Sequence, residues 1–315
     1  MTFNIITNIV KGLGLQRDAE LLKTLLESAG HIVELTGINL AAPWLIDNIH
    51  PDTFHDVNIF IEVICQPIPP ARENWFIPNS EWYLPEYDSG LNRMDRVLCK
   101  TKDGLNIWSS RVGAKVSYIG FEATDFFRPE IAKEKKFFHL LGNSTSKNTA
   151  AILDAWRDHR IQYPLFVVGH GLETQHLRRV TPNVTYCDRV SDEVLAGVFN
   201  ACQFHIMPSQ YEGYGQALHE GIGCGAVILT TDAAPMNEAT GIDRRFLILV
   251  IRTERWRLAK RNFVGGAGIA DAVHRAAAMT PAQIAECGRL AREGFLQDRE
   301  FFRKTFLELV DRRVR

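Results

Sequence analysis

The sequence predicts an α/β protein built from two Rossmann-like, doubly wound domains. Short apolar runs of strand length recur along the chain with amphipathic helical stretches between them, the pattern of buried parallel strands covered by helices. Glycine-containing turns sit where strands give way to helices. A chain of 315 residues, 46% hydrophobic and 23% charged, is ordinary for a globular protein and long enough for about two cores of typical size.

The first half opens with the strand "FNIITNIV", the glycines of "KGLGLQRD", the helix "AELLKTLLESAG" closed by Gly30, and the strand "HIVELTG". That order is the start of a parallel βαβ unit. Apolar runs at "DVNIFIEVI", "NWFIP", "DRVLCKT" and "AKVSYIGF" continue the sheet, with a helix expected at "KDGLNIWSSRVG". From Gly120 to Glu130, "GFEATDFFRPE" loses periodicity and reads as an interdomain linker. The second half repeats the rhythm: "KFFHLLG", helix "NTAAILDAWRDHR", "YPLFVVGHG", "VTYCDRV", helix "SDEVLAGVFNAC", "QFHIMPS" and "GAVILTTD". An amphipathic helix is expected from Asp298 onward. The predicted boundaries are residues 1–120, a linker at 121–135, a second domain at 136–297 and a closing helix at 298–315.

A formal net charge of -1 gives no reason to expect nucleic acid or an anionic membrane as partner, and the basic cluster Lys133, Lys135, Lys136 is offset by Glu130 and Glu134. The six cysteines lack zinc or dithiol spacing, and no window approaches a membrane span. These features predict a cytoplasmic protein with a small-molecule partner, no metal and no transmembrane segment.

The most informative stretch is "YEGYGQALHEGIGCGAVILTTD", Tyr211 to Asp232. It follows a predicted strand, so its turn lies at a strand's carboxyl end, where open α/β sheets bind ligands. Gly213 and Gly215 permit close backbone approach, and the amides at the start of the next helix, Gly215 to Ala217, form a positive pole suited to a diphosphate. Glu212 and Glu220 flank this pole and can accept hydrogen bonds from neutral hydroxyls. Carboxylates beside an anion site point to a sugar nucleotide.

The extended stretch "PSQYEGYGQALHEGIGCGAVILTTDAAPMNE" resembles the donor-binding signature of retaining, glycogen-synthase-like glycosyltransferases of the GT-B fold. Glu212, Gly213, Tyr214, Gly215, Glu220, Gly225 and Glu238 fall on its E-x7-E pattern. "FFHLLGNSTSKNTAAILDAW" is similar to the family's lysine-bearing phosphate segment, "LFVVGHGLET" to its V-G-x-G turn at Gly169 and Gly171, and "YIGFEATDFFRPE" to its linker. The resemblance covers most of residues 118 to 240. It implies two Rossmann-like domains facing across a cleft, with a final helix that crosses back to the first.

It also implies a hexosyltransferase-like activity with retention and without a metal; the chain has no D-x-D triplet. No cofactor is expected beyond the nucleoside diphosphate sugar, which is the donor substrate. Residue by residue, Lys147 and Glu212 would be catalytic, with Lys147 on the diphosphate. Gly213, Tyr214, Gly215 and Gln216 would hold phosphates and sugar, Glu220 the ribose, and the backbone near Arg189 and Val190 the base. Gly12 and Gly14 would form a phosphate-facing loop. Asn143 stands where the family commonly has arginine, which removes a bidentate phosphate ligand and leaves Arg17 or Arg189 to compensate.

Candidate acceptor-side residues are Glu62, His50, His55, Asn79 and Glu81. The acceptor could be a glycan, lipid, protein or small molecule. Three further readings stay open: a sugar-nucleotide epimerase or hydrolase, a non-catalytic binding or scaffold protein, and a dinucleotide site in which Glu34 closes the second strand and holds a ribose.

Overall fold

In the first strand, Phe3, Ile5 and Ile6 have no exposed surface, because parallel strands buried on both faces are apolar throughout rather than alternating. The computed structural model describes residues 1–8, 13–38, 46–47, 53–142, 144–169, 181–188 and 190–314. Gly12, His50, Asn143, His170, Gly171 and Arg189 lie outside the described residues.

The chain forms two compact units. Unit 1 comprises Met1–Thr124, Trp256–Ala259 and Asp298–Arg315; unit 2 comprises Asp125–Arg255 and Lys260–Gln297. In unit 1, β1 (Thr2–Thr7), α1 (Leu13–Ser28), β2 (Ile32–Ile38), β3 (Ile46–Asp47), β4 (His55–Ile61) and β5 (Ala71–Ile77) follow in order. After them come the short α2 (Asp88–Leu91), β6 (Arg96–Cys99), α3 (Lys102–Val112) and β7 (Val116–Tyr118). The sheet order is β3-β2-β1-β4-β5-β6-β7. Every pairing is parallel except β3 on β2. One face carries a core of Phe60, Phe76, Tyr83 and Trp108; Trp75 stacks edge-on between Phe3 and Phe306.

Unit 2 holds β8 (Glu134–Gly142), α4 (Thr149–Asp158), β9 (Leu165–Gly169), β10 (Val184–Cys187), α5 (Asp192–Ala201), β11 (Cys202–Met207), α6 (Gln216–Gly223), β12 (Val227–Thr231) and β13 (Leu247–Ile248). These strands are ordered β10-β9-β8-β11-β12-β13, all parallel. Both sheets therefore follow the doubly wound order, with the chain reversing direction between β1 and β4 in one and between β8 and β11 in the other. Those reversal points open a crevice at the strands' carboxyl ends, and they fix where each unit can bind a ligand.

Two elements differ from the sequence expectation. β14 (Val250–Trp256) and β15 (Ala259–Val264) pair as a two-stranded ribbon in a region for which no element was predicted. After α7 (Gly266–Ala277), the last helix, α8, runs from Pro281 to Val314 and starts well before Asp298. Its interior glycines have a packing reason. A Cβ at Gly288 would lie 2.6 Å from Gly225 O, and one at Gly294 would lie 2.7 Å from Thr240 C. The helix axis thus runs against neighbouring backbone, which outweighs glycine's poor helix propensity. Residues 298–314 of α8 belong to unit 1, where Phe302, Phe306 and Val310 are fully buried.

Candidate functional site

In unit 2 the reversal point brings two loops together, the one after β8 and the one after β11. Lys147 lies on the first and Glu212 on the second. The loops are tied by backbone and amide hydrogen bonds: Gln210 N–H donates to Ser146 O at 2.7 Å, Asn148 Nδ2 to Pro208 O at 2.7 Å, and Gln210 Nε2 to Asn148 Oδ1 at 3.1 Å. Asn148 adopts a φ of +50°, a left-handed conformation that asparagine tolerates better than most residues, and its carbonyl starts α4. Thr230 and Thr231 hydroxyls donate to Met207 O and Ser209 O and hold the second loop from the β12 side. This scaffold delivers the Lys147 ammonium onto the Glu212 carboxylate as an ion pair, with each side chain about four-fifths buried.

Glu212 leads into Gly213, Tyr214 and Gly215. Gly215 has a φ of +92° and caps α6 without any side-chain cap. A left-handed residue is the cheapest way to turn the chain so sharply into the helix. Tyr214 is buried, its ring stacked on His219 at 3.9 Å, and His219 Nδ1–H donates to Gly215 O. His219 therefore braces the turn. Gln216 is the first residue of α6, and Glu220, four residues on, is only 1% exposed. Burying a carboxylate at that depth costs several kcal/mol by order of magnitude unless partners offset it, so its position is specific.

Of the other predicted residues, Val190 is half-buried just before Ser191, whose side chain caps α5. Gly14 lies in the first turn of α1, where nothing within 4 Å would meet a Cβ, so packing alone does not require glycine there. Gly169 does have a packing role: its φ is +132° and a Cβ would lie 2.3 Å from Gly142 N.

His205 is a packed histidine of β11: it is fully buried, donates from Nε2 to Phe199 O at 3.0 Å, and burial holds its imidazole down to about 3. Two sequence expectations are corrected. His55 lies at the amino-terminal start of β4, away from the strand ends that bind ligands. Its Nε2 pairs with Glu34 Oε2 at 2.9 Å. Glu34 is consequently the third residue of β2, not its end, which removes the ribose ligand that a dinucleotide reading needs.

Sequence reasoning missed Gln210, Asn148 and Asn262, which lock the loops; the signal available was the density of amide side chains beside the glycine-rich stretch. Asn262, on β15, donates through its backbone N–H to Gln210 O at 2.8 Å. Arg261 stands over the Tyr211 ring at 5.8 Å. Among the described residues, no group of three or more His, Cys, Asp or Glu side chains is placed to hold a metal ion, and no helix is long and apolar enough to cross a membrane.

Two doubly wound, Rossmann-like units in one chain are the parts of the GT-B architecture. Residues 136–257 match the family model of glycosyl transferases group 1. The chain is 28% identical over 106 residues to O-antigen chain mannosyltransferase B of Escherichia coli, a match covering 30% of this chain and 28% of that one. The chain thus spans under a third of that curated relative. Sucrose-phosphate synthase from Thermosynechococcus elongatus has a similar structure, with a TM-score of 0.71 at 14% identity over 99% of this chain and 98% of that one. Anabaena HepE, solved in complex with UDP-glucose, matches with a TM-score of 0.66 at 14% identity over 99% and 100% of the two chains. Residues 136–257 thus carry the similarity to glycosyl transferases group 1, and the chain shares the GT-B fold of these solved structures.

Proposed function

We propose that the protein transfers a sugar from a nucleoside diphosphate sugar to an acceptor hydroxyl, with retention at the anomeric carbon. The observation that carries this reading is the Lys147–Glu212 pair beside the amino terminus of α6, where Gly215 brings no capping side chain. A diphosphate at that terminus would gain the helix amides and draw Lys147 from Glu212. Glu212, released, accepts hydrogen bonds from hydroxyls of the transferred sugar, and Glu220 does the same for the ribose. Gly213 and Gly215 keep the backbone of Tyr214 and Gln216 close to the phosphates, with Gly12, Gly14, Arg189 and Val190 completing the donor contacts.

As the glycosidic bond breaks, negative charge accumulates on the departing diphosphate. Lys147 and the α6 amides are already oriented toward it, so little reorganisation accompanies the step, which is the basis of electrostatic catalysis. These cations and amides carry the leaving group without a metal. The free thiols of the six cysteines suit the cytoplasmic setting expected from their spacing.

Calorimetry with a panel of UDP, GDP, ADP and TDP sugars tests the reading on the wild type, Lys147→Ala and Glu220→Ala. One donor binds, and each substitution weakens it by more than about 1 kcal/mol, the scale of a hydrogen bond involving a charged group. Binding that ignores both residues, in variants that still unfold cooperatively, overturns the assignment. The anomeric configuration of the product, read by proton NMR, decides retention.

A further inference from the structure

Unit 1 has its own reversal point, between β1 and β4, and Glu62 is the first residue after β4. Its φ is +66°, although it is not a glycine, and across it Val63 N–H donates to Ile61 O at 2.8 Å. An i to i+2 hydrogen bond around a positive φ is the rare, strained form of the γ-turn. Such strain persists only where the surroundings over-determine it, and it concentrates at ligand sites. Glu62 N–H is fixed to Ile77 O at 2.9 Å, so the turn is pinned to the neighbouring strand.

The carboxyl that this turn presents is nine-tenths buried, and its Oε2 accepts a 2.6 Å hydrogen bond from Asn79 Nδ2, just past the end of β5. Asn79 is 8% exposed, and its other amide atom, Oδ1, is buried without a hydrogen-bond partner. An orphaned carbonyl at that depth is unfavourable and calls for an O–H or N–H donor. Lys100 and Asp18, two buried charges that act on Glu62, are paired with each other at 2.9 Å. Burial raises the Glu62 pKa, opposed by Asn79, Lys100 and Arg257 and reinforced by Asp18. A second anion is disfavoured beside a carboxyl in such a place, whereas a neutral hydroxyl can both donate to Asn79 Oδ1 and pair with Glu62.

We propose that Glu62 and Asn79 form a hydroxyl-binding site at the reversal point of unit 1, which holds an uncharged sugar or polyol as acceptor in preference to a phosphorylated one. The inference rests on the transferase reading for its meaning but not for its test.

Saturation-transfer NMR on the full chain, with glucose, mannose, glycerol and inositol compared against glucose 6-phosphate and mannose 6-phosphate, supplies the readout. At least one uncharged compound gives a signal in the wild type and in Lys147→Ala. The signal falls by about tenfold, the scale of one hydrogen bond involving a charged partner, in Asn79→Ala and in Glu62→Gly. Thermal midpoints measured alongside show that both variants stay folded, so the lost signal belongs to the site. No signal from any uncharged compound, preference for the phosphates, or signals indifferent to both substitutions each overturns the proposal. Loss of nucleotide-sugar binding in Lys147→Ala with sugar binding intact, or the converse, shows which of the two sites has failed.

Discussion

His139, in the middle of the unit 2 sheet, has both ring nitrogens engaged. Nδ1 donates to Ile206 O and, with the ring neutral, Nε2 accepts from the Thr149 hydroxyl, both at 2.8 Å. Burial favours that neutral ring and pushes the group down to about 4; His205 is held down to about 3 for the same reason. An unfolded histidine titrates near 6.5. Above that pH neither ring affects stability. As pH falls below it, the unfolded chain takes up protons that the native state refuses, and stability is lost progressively down to the folded values. Each ring withdraws about 3 kcal/mol by pH ~4. Urea midpoints measured from about pH 7 to about pH 4.5 therefore fall steeply in the wild type and less steeply in His139→Gln. From the sequence, His205 near a strand end reads more readily as a structural histidine than as a catalytic one, without showing what surrounds it. The packing of Phe138 and Phe199 around its ring supplies those surroundings.

Among the elements, the strand–turn–helix of residues 202–223 was legible because glycine spacing and the following apolar run admit few other conformations. The β14–β15 ribbon was not, although "VIRTERW" and "AKRNFV" alternate in the manner of strands; charge on nearly every second residue hides an apolar face. Helix α8 was only half legible, since the two glycines that let it approach Gly225 and Thr240 also weaken a helical reading. The second part of α8 is secured to unit 1 by Glu122, whose side chain is 1% exposed and accepts from Arg299 Nε at 3.0 Å and Arg303 Nε at 2.8 Å. Replacing both arginines by alanine leaves that carboxylate with much less compensation. The double variant loses about 3 kcal/mol of unfolding free energy, and Glu122→Gln in the same background recovers part of it. Chemical denaturation followed through the unit 1 tryptophans measures both.

For the molecule as a whole, the doubly wound order of both sheets followed from the recurrence of strands and helices, but membership of the units did not. Nothing in the local pattern announces that Trp256–Ala259 belongs with residues 1–124. That grouping rests on tertiary contacts: Trp256 Nε1 donates to Glu81 O at 3.1 Å, and the Arg257 guanidinium lies over Trp82 at 5.0 Å. Ending the chain after Gln297 removes Phe302, Phe306 and Val310 from unit 1. Losing two buried phenylalanines alone amounts to roughly 6–10 kcal/mol, comparable to the whole stability of a domain. Hydrogen exchange on that truncated chain shows the unit 1 sheet unprotected and the unit 2 sheet still protected. The same arrangement orders events during synthesis. Every residue of unit 2 is synthesised before residues 298–314, while strands β1 to β7 emerge first and wait longest for the last segment of α8. The unit 1 sheet therefore cannot complete its core until the last segment of α8 is made. Until then the apolar surface around Phe3 and Trp75 is open to chaperones, although those strands are the first to emerge.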